Sequence, residues 1–153
     1  MYCVRNVTDD LYWVGANDHR LALFENIFPI PRGVSYNAYL LLDEQTVLFD
    51  TVDWSACRQL LENVEHLLDG RPLDYLVVNH MEPDHGASVE EILLRYPSVK
   101  VISTEKAFMF MRQFGFDIDG HELIEVKEGD TQSFGRHVVT FVAAPMVHWP
   151  EAM

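Results

Sequence analysis

Basic residues are scarce in this chain: 11 Lys and Arg stand against 24 Asp and Glu, for a formal net charge of −13. Such a surface repels nucleic acid and anionic membranes alike, so neither is expected as a partner. Thiols are scarcer still. Cys3 and Cys57 allow one disulfide at most and no spaced thiolate metal site, which points to free thiols in a reducing, cytoplasmic setting. The N-terminus has no basic segment followed by an apolar core, and no apolar run approaches the ~18 residues of a membrane span. A glycine-rich phosphate-binding loop is missing. Internal repeats, low-complexity tracts and composition shifts that would mark a second domain are missing too.

What is present, 153 residues with 48% apolar and 12% aromatic content, suits one soluble globular domain with a real core. Two strands flank an Asp9-Asp10 turn, the second being Leu11 to Gly15, and Asn17 to Arg20 is a polar connection. Ser35 to Leu42 and Thr46 to Phe49, joined by Asp43-Glu44-Gln45, read as an antiparallel hairpin. Trp54 to Leu68 has apolar residues at helical spacing, with Gly70 as its stop. Strand and helix then alternate: a strand at Tyr75 to Val78, a helix at Ala87 to Arg95, a strand at Val99 to Ser103 and a helix at Thr104 to Phe114. Two further strands lie at Glu122 to Val126 and Val138 to Val142. Phe108, Met109, Phe110, Met111 and Phe114 read as core filler. The pattern is that of an α/β protein.

The stretch with chemistry in it follows the Tyr75 strand. His80-Met81-Glu82-Pro83-Asp84-His85 offers four metal ligands in six positions, a pattern this composition would produce on the order of 0.01 times per chain by chance. In an extended segment His80, Glu82 and Asp84 start on one side, and Pro83 and Gly86 bend the backbone. Such a bend gives His80 and Glu82 to one ion and Asp84 and His85 to a second. Imidazole and carboxylate without thiolate suit iron or manganese, with zinc left open. Asp50, closing the Thr46 strand, reads equally as the carboxylate behind a metal-bound histidine or as a helix cap. His148 reads as a distant third imidazole for the site or as a histidine packed beside Trp149. His19, His66, His121 and His137 read as surface residues.

The His80 to His85 motif resembles that of the flavodiiron proteins (A-type flavoproteins), a branch of the metallo-β-lactamase superfamily whose hydrolytic members carry His at the position of Glu82. Ile30 to Tyr39 and Val147-His148-Trp149-Pro150-Glu151 resemble further segments of that family, so the likeness covers nearly the whole chain. It implies a metallo-β-lactamase-like αββα sandwich, of which residues 1–153 would be the N-terminal portion of one diiron domain. His80, Glu82 and His148 would then bind the first of two iron ions, and Asp84 and His85 the second. The bridging carboxylate and a last histidine would lie beyond residue 153, as would the flavodoxin-like domain that carries FMN. The implied activity is reduction of dioxygen to water or of nitric oxide to nitrous oxide. The donor would be a rubredoxin-like or other reductase, and the assembly a head-to-tail homodimer. The alternatives are a metallo-hydrolase of the same fold, or an inactive fragment or subunit that needs a second chain to complete its site. A domain cut here would leave sheet edges and an apolar face uncovered.

Overall fold

The computed structural model describes residues 2–153. Strands β1 (Arg5–Asn6) and β2 (Leu11–Trp13) form the opening hairpin. β3 (Ala16–Asp18), β4 (Leu23–Phe24), β5 (Phe28–Pro29) and β6 (Val34–Tyr36) make two small antiparallel pairs, β3 with β6 and β4 with β5. β7 (Tyr39–Leu42) and β8 (Thr46–Phe49) follow, then a 3-10 turn at Trp54–Ala56 and α1 (Cys57–Leu68). The remainder runs β9 (Tyr75–Val77), α2 (Pro83–Gly86), α3 (Val89–Arg95), β10 (Lys100–Ser103), α4 (Glu105–Gln113), β11 (Leu123–Glu125), β12 (Thr131–Ser133) and β13 (Val138–Thr140). The main sheet has the order β1-β2-β7-β8-β9-β10-β11. It is antiparallel as far as β8 and parallel from β8 to β11.

Adjacent residues along the central strands divide between two cores. Leu40, Leu48, Leu76 and Val101 pack with Leu60 and Val64 of α1, Ile92 of α3 and Met111 of α4. Leu41, Val47, Tyr75, Val77 and Ile102 pack instead with Phe134 and Phe141, beside the β12–β13 hairpin. Because strand side chains alternate faces, the two sets lie on opposite sides of the sheet. Helices, main sheet and hairpin thus make three layers, in keeping with the N-terminal part of an αββα sandwich. Val138, Val142, Met146 and Val147 are exposed.

Some expectations need correction. Ser35 to Leu42 is not one strand: β6 leaves to pair with β3, and only β7 stays beside β8. The partner strand β3 lies where a polar connection was expected, because backbone pairing can recruit residues such as Asn17 and Asp18 that no apolar alternation marks. β12, a Thr-Gln-Ser segment, was hidden for the same reason. The residues after Glu82 form a separate helical turn, α2, ahead of α3. Of the run expected to fill the core, Phe108 and Met111 are buried, whereas Met109 and Phe114 are exposed on the outer side of α4. Nor is His137 merely solvated. The Asp43 carboxylate accepts hydrogen bonds from Glu44 N (2.8 Å), His137 N (2.8 Å) and the His137 ring (2.7 Å), and Arg136 Nε stands 3.7 Å away. Asp43 therefore ties the β7–β8 turn to the turn between β12 and β13. Burial opposes its ionisation, but the His137 ring and the converging amides outweigh that and hold its carboxyl well below the usual carboxylate range.

Leu76 is fully buried, so Leu76→Ala is expected to lower unfolding free energy by about 2–5 kcal/mol in urea denaturation. The depressed Asp43 carboxyl binds a proton more readily in the unfolded chain, so its contribution is present above the ordinary carboxylate range and lost as pH falls. Asp43→Asn should lower the urea midpoint at pH 7, and the gap from wild type should narrow as pH falls below about 4.

Candidate metal centre

Strands β8, β9 and β10 run parallel in register, with Phe49 beside Val77 and Val77 beside Ile102. Their C-terminal ends therefore open at one edge, where α/β sheets carry their ligands. Asp50 sits at the first of these ends in a left-handed conformation (φ 57°). Its carboxylate accepts from Asn79 N at 2.6 Å and from Asn79 Nδ2 at 3.1 Å, which joins two strand ends. Asp50 caps no helix. That role falls to Asp53, which accepts from Ser55 N at 2.9 Å.

Past Glu82 the chain stops being extended. Pro83, with its preset φ and no N–H to lose, begins α2, and the amides of His85 and Gly86 both donate to Glu82 O, at 2.8 and 2.7 Å. A Cβ on Gly86 would lie 3.1 Å from Met81 O, a close approach that favours glycine there. Thr51 clamps the turn from below, its amide donating to His85 O at 3.1 Å and its hydroxyl to the same oxygen.

The turn gathers the motif. His80 Nε2 lies 3.0 Å from Glu82 Oε2, and His148 Nε2 lies 2.5 Å from the same oxygen. Donor atoms of these three residues all fall within 4.8 Å of one another. The rings of His85 and His148 stand 5.3 and 5.1 Å from that of His80. Asp84 Oδ2 is 3.5 Å from His85 Nε2, and His85 Nδ1 is 3.3 Å from Asp50 Oδ2 without alignment for a hydrogen bond. All five candidate ligands, and Asp50 behind one of them, thus meet at one place. His19, whose Nδ1 lies 3.0 Å from Arg32 O, His66, stacked on Tyr2, His121, whose Nδ1 lies 3.0 Å from Val99 O, and His137 on Asp43 have their contacts elsewhere.

The electrostatics call for a cation. Burial would raise the Glu82 carboxyl, but the hydrogen-bonded His148 and His80 rings bring it below its ordinary range. The same contact, with Glu82, raises His148. Asp84 is raised, first by burial and further by the charge of Glu82, and its Oδ1 is buried without any donor. A buried carboxylate oxygen lacking a donor, beside three imidazoles, is the kind of group a bound cation satisfies. Nitrogen and oxygen donors without sulfur fit iron or manganese.

Two residues escaped the sequence reading. Glu151, 2% exposed, places Oε1 2.8 Å from His80 Nδ1 and accepts from Met81 N at 3.0 Å. No spacing rule links positions 80 and 151; proximity to His148 in the chain was the one available signal. Glu25, in the β4–β5 turn with φ of 50°, has its carboxyl raised by desolvation and then by the charge of Glu82. Trp149 lies closer to His80, edge-on at 5.2 Å, than to His148 at 6.4 Å.

A family model described as ODP family beta lactamase matches residues 34–153. The nitric oxide reductase of Moorella thermoacetica is 40% identical over 148 residues, which cover 96% of this chain and 37% of that protein. The anaerobic nitric oxide reductase flavorubredoxin of Vibrio vulnificus is 33% identical, over 97% of this chain and 30% of its own length. Among solved structures, the rubredoxin oxygen:oxidoreductase of Desulfovibrio gigas superposes with a TM-score of 0.90 at 31% identity, covering 98% of this chain and 37% of that one. The chain therefore spans about a third of the length of these relatives.

Glu82 is shared by two histidines, so Glu82→Ala should weaken divalent-ion binding by more than the ~10–100-fold that follows loss of a supporting carboxylate. Metal titration followed by elemental analysis of the desalted protein checks this.

Proposed function

This chain belongs to the ODP beta-lactamase family, and from that premise we propose that it forms the metal-binding part of a flavodiiron oxidoreductase that reduces nitric oxide to nitrous oxide or dioxygen to water. The observation that carries the reading is Glu82, a carboxylate at the point where His80 and His148 converge. The hydrolases of the superfamily have an imidazole in that position, and a carboxylate moves the preference toward harder, redox-active iron.

In this reading His80, Glu82 and His148 hold one iron, Asp84 and His85 hold the other, and Asp50 stands behind His85. Two adjacent ferrous ions, when bound, supply electrons together to a diatomic molecule. The chain's own residues prepare the place. Glu82 and Asp84 bring negative charge into a partly buried site, the tight turn ending at Gly86 sets His85 against His80, and Trp149 screens one side of His80 from water. Residues 1–153 supply the first part of the diiron domain; in a protein of the relatives' length, the bridging carboxylate, the last histidine and the FMN of a flavodoxin-like domain come from the remainder. The electron donor would be a rubredoxin-like or other reductase, and the assembly a head-to-tail homodimer. The two free cysteines are in keeping with a reducing cytoplasm.

Anaerobic turnover of the full-length, iron-loaded protein with an artificial reductant tests the proposal. A measured dose of nitric oxide or dioxygen should be consumed, and Glu82→Ala should abolish the consumption. No uptake of either gas by protein that retains two irons would sink the reading, as would retention of zinc with ester or thioester cleavage.

A further inference from the structure

Each of the two histidines contributed by the motif has a carboxylate behind it, and the two carboxylates are not alike. Behind His80 stands Glu151, with Oε1 2.8 Å from His80 Nδ1 and 3.0 Å from the Met81 amide that donates to it. Its other oxygen is buried and has no donor at all. Behind His85 stands Asp50, 3.3 Å from Nδ1 and misaligned, with its charge already taken up by the backbone amide and side-chain amide of Asn79.

We propose that Glu151 is a positioning residue that makes the two metal positions unequal: by accepting the Nδ1 proton of His80 in a dry pocket, it turns Nε2 into the stronger donor and makes the His80–Glu82–His148 position the tighter of the two. The inference rests on the two-iron reading above. A carboxylate with one amide partner and little water keeps more of its charge for the imidazole than one shared by two amides. The atom thereby freed is the correct one, since Nε2 is what faces Glu82. Glu151 is also held independently of any ion. Thr104 Oγ1 donates to Glu151 O at 3.2 Å, Ala144 N to Ala152 O at 2.8 Å and Met153 N to Asn79 O at 3.1 Å. These bonds fasten the segment that carries both Glu151 and His148 onto the ends of β9 and β10. One short segment thus delivers a ligand and the group that orients another.

The test uses the full-length protein loaded with ferrous iron-57, as wild type, Glu151→Gln, Glu151→Asp and Asp50→Asn. Iron titration and Mössbauer spectra are read alongside circular dichroism. In E151Q, which keeps the shape and loses the charge, one of two iron affinities should fall about 10–100-fold and one of two quadrupole doublets should move. E151D should recover much of the wild-type spectrum, and D50N should perturb the other doublet by a smaller amount. A wild type with two irons whose E151Q spectrum is unchanged, or whose doublets move together, overturns the inference alone. A wild type that takes up fewer than two irons overturns the two-iron reading beneath it. Should E151Q not fold, the zinc-loaded wild type with nitrogen-15 histidine decides: a slowly exchanging, far-downfield Nδ1 proton on His80 and a faster one on His85 supports the inference, and the reverse order overturns it.

Discussion

Three parallel strands ending at the same level are the constraint on which the site depends. The pairing of β8, β9 and β10 sets Asp50, the His80 loop and Thr104 side by side. The cost of leaving their last amides and carbonyls unpaired is then met by cross-strand contacts, not by water. Asp50 takes up two amides of Asn79, and the amide of Met153 donates to Asn79 O. A one-residue slip of β9 would turn Leu76 and Val77 each to the wrong face of the sheet and carry the histidine loop out of line with Asp50 and Thr104. The core enforces that register, because Leu76 and Val77 belong to different hydrophobic layers.

Local backbone chemistry does the next part of the work. Proline at the start of α2 and glycine at its end compress the motif into a single turn that Thr51 grips through His85 O. That turn brings Asp84 and His85 around to the side occupied by His80 and Glu82. Negative charge accumulates there faster than hydrogen-bond donors do: Asp84 keeps an orphaned buried oxygen, and Glu82 leans on two imidazoles. In the interior such charge is costly without a counter-ion. The electrostatics of the cluster therefore favour a cation for the same reason that its residue types do.

Much of this was legible in the residues themselves. Alternating apolar runs located β7 to β11 and three of the helices, because burial on one or both faces leaves a periodic trace. The dense run from His80 to His85 announced a cation site, since so many ligand types in so short a stretch have few other uses. The signal failed where burial does not drive the local structure. β3 and β12 are polar strands held by backbone pairing, and Met109 and Phe114 carry core-like side chains on an exposed helix face.

The sequence by itself determined the class of fold, the motif and the kind of metal chemistry that nitrogen and oxygen ligands support, because composition and spacing are properties of the chain alone. Tertiary structure alone seated Asp50 against Asn79 and beside His85 and gave the helix cap to Asp53. It alone brought Glu151 behind His80 across 70 intervening residues of chain and paired Asp43 with His137. Such contacts join residues far apart in the chain, and their geometry follows from strand register and helix packing, which no local pattern encodes.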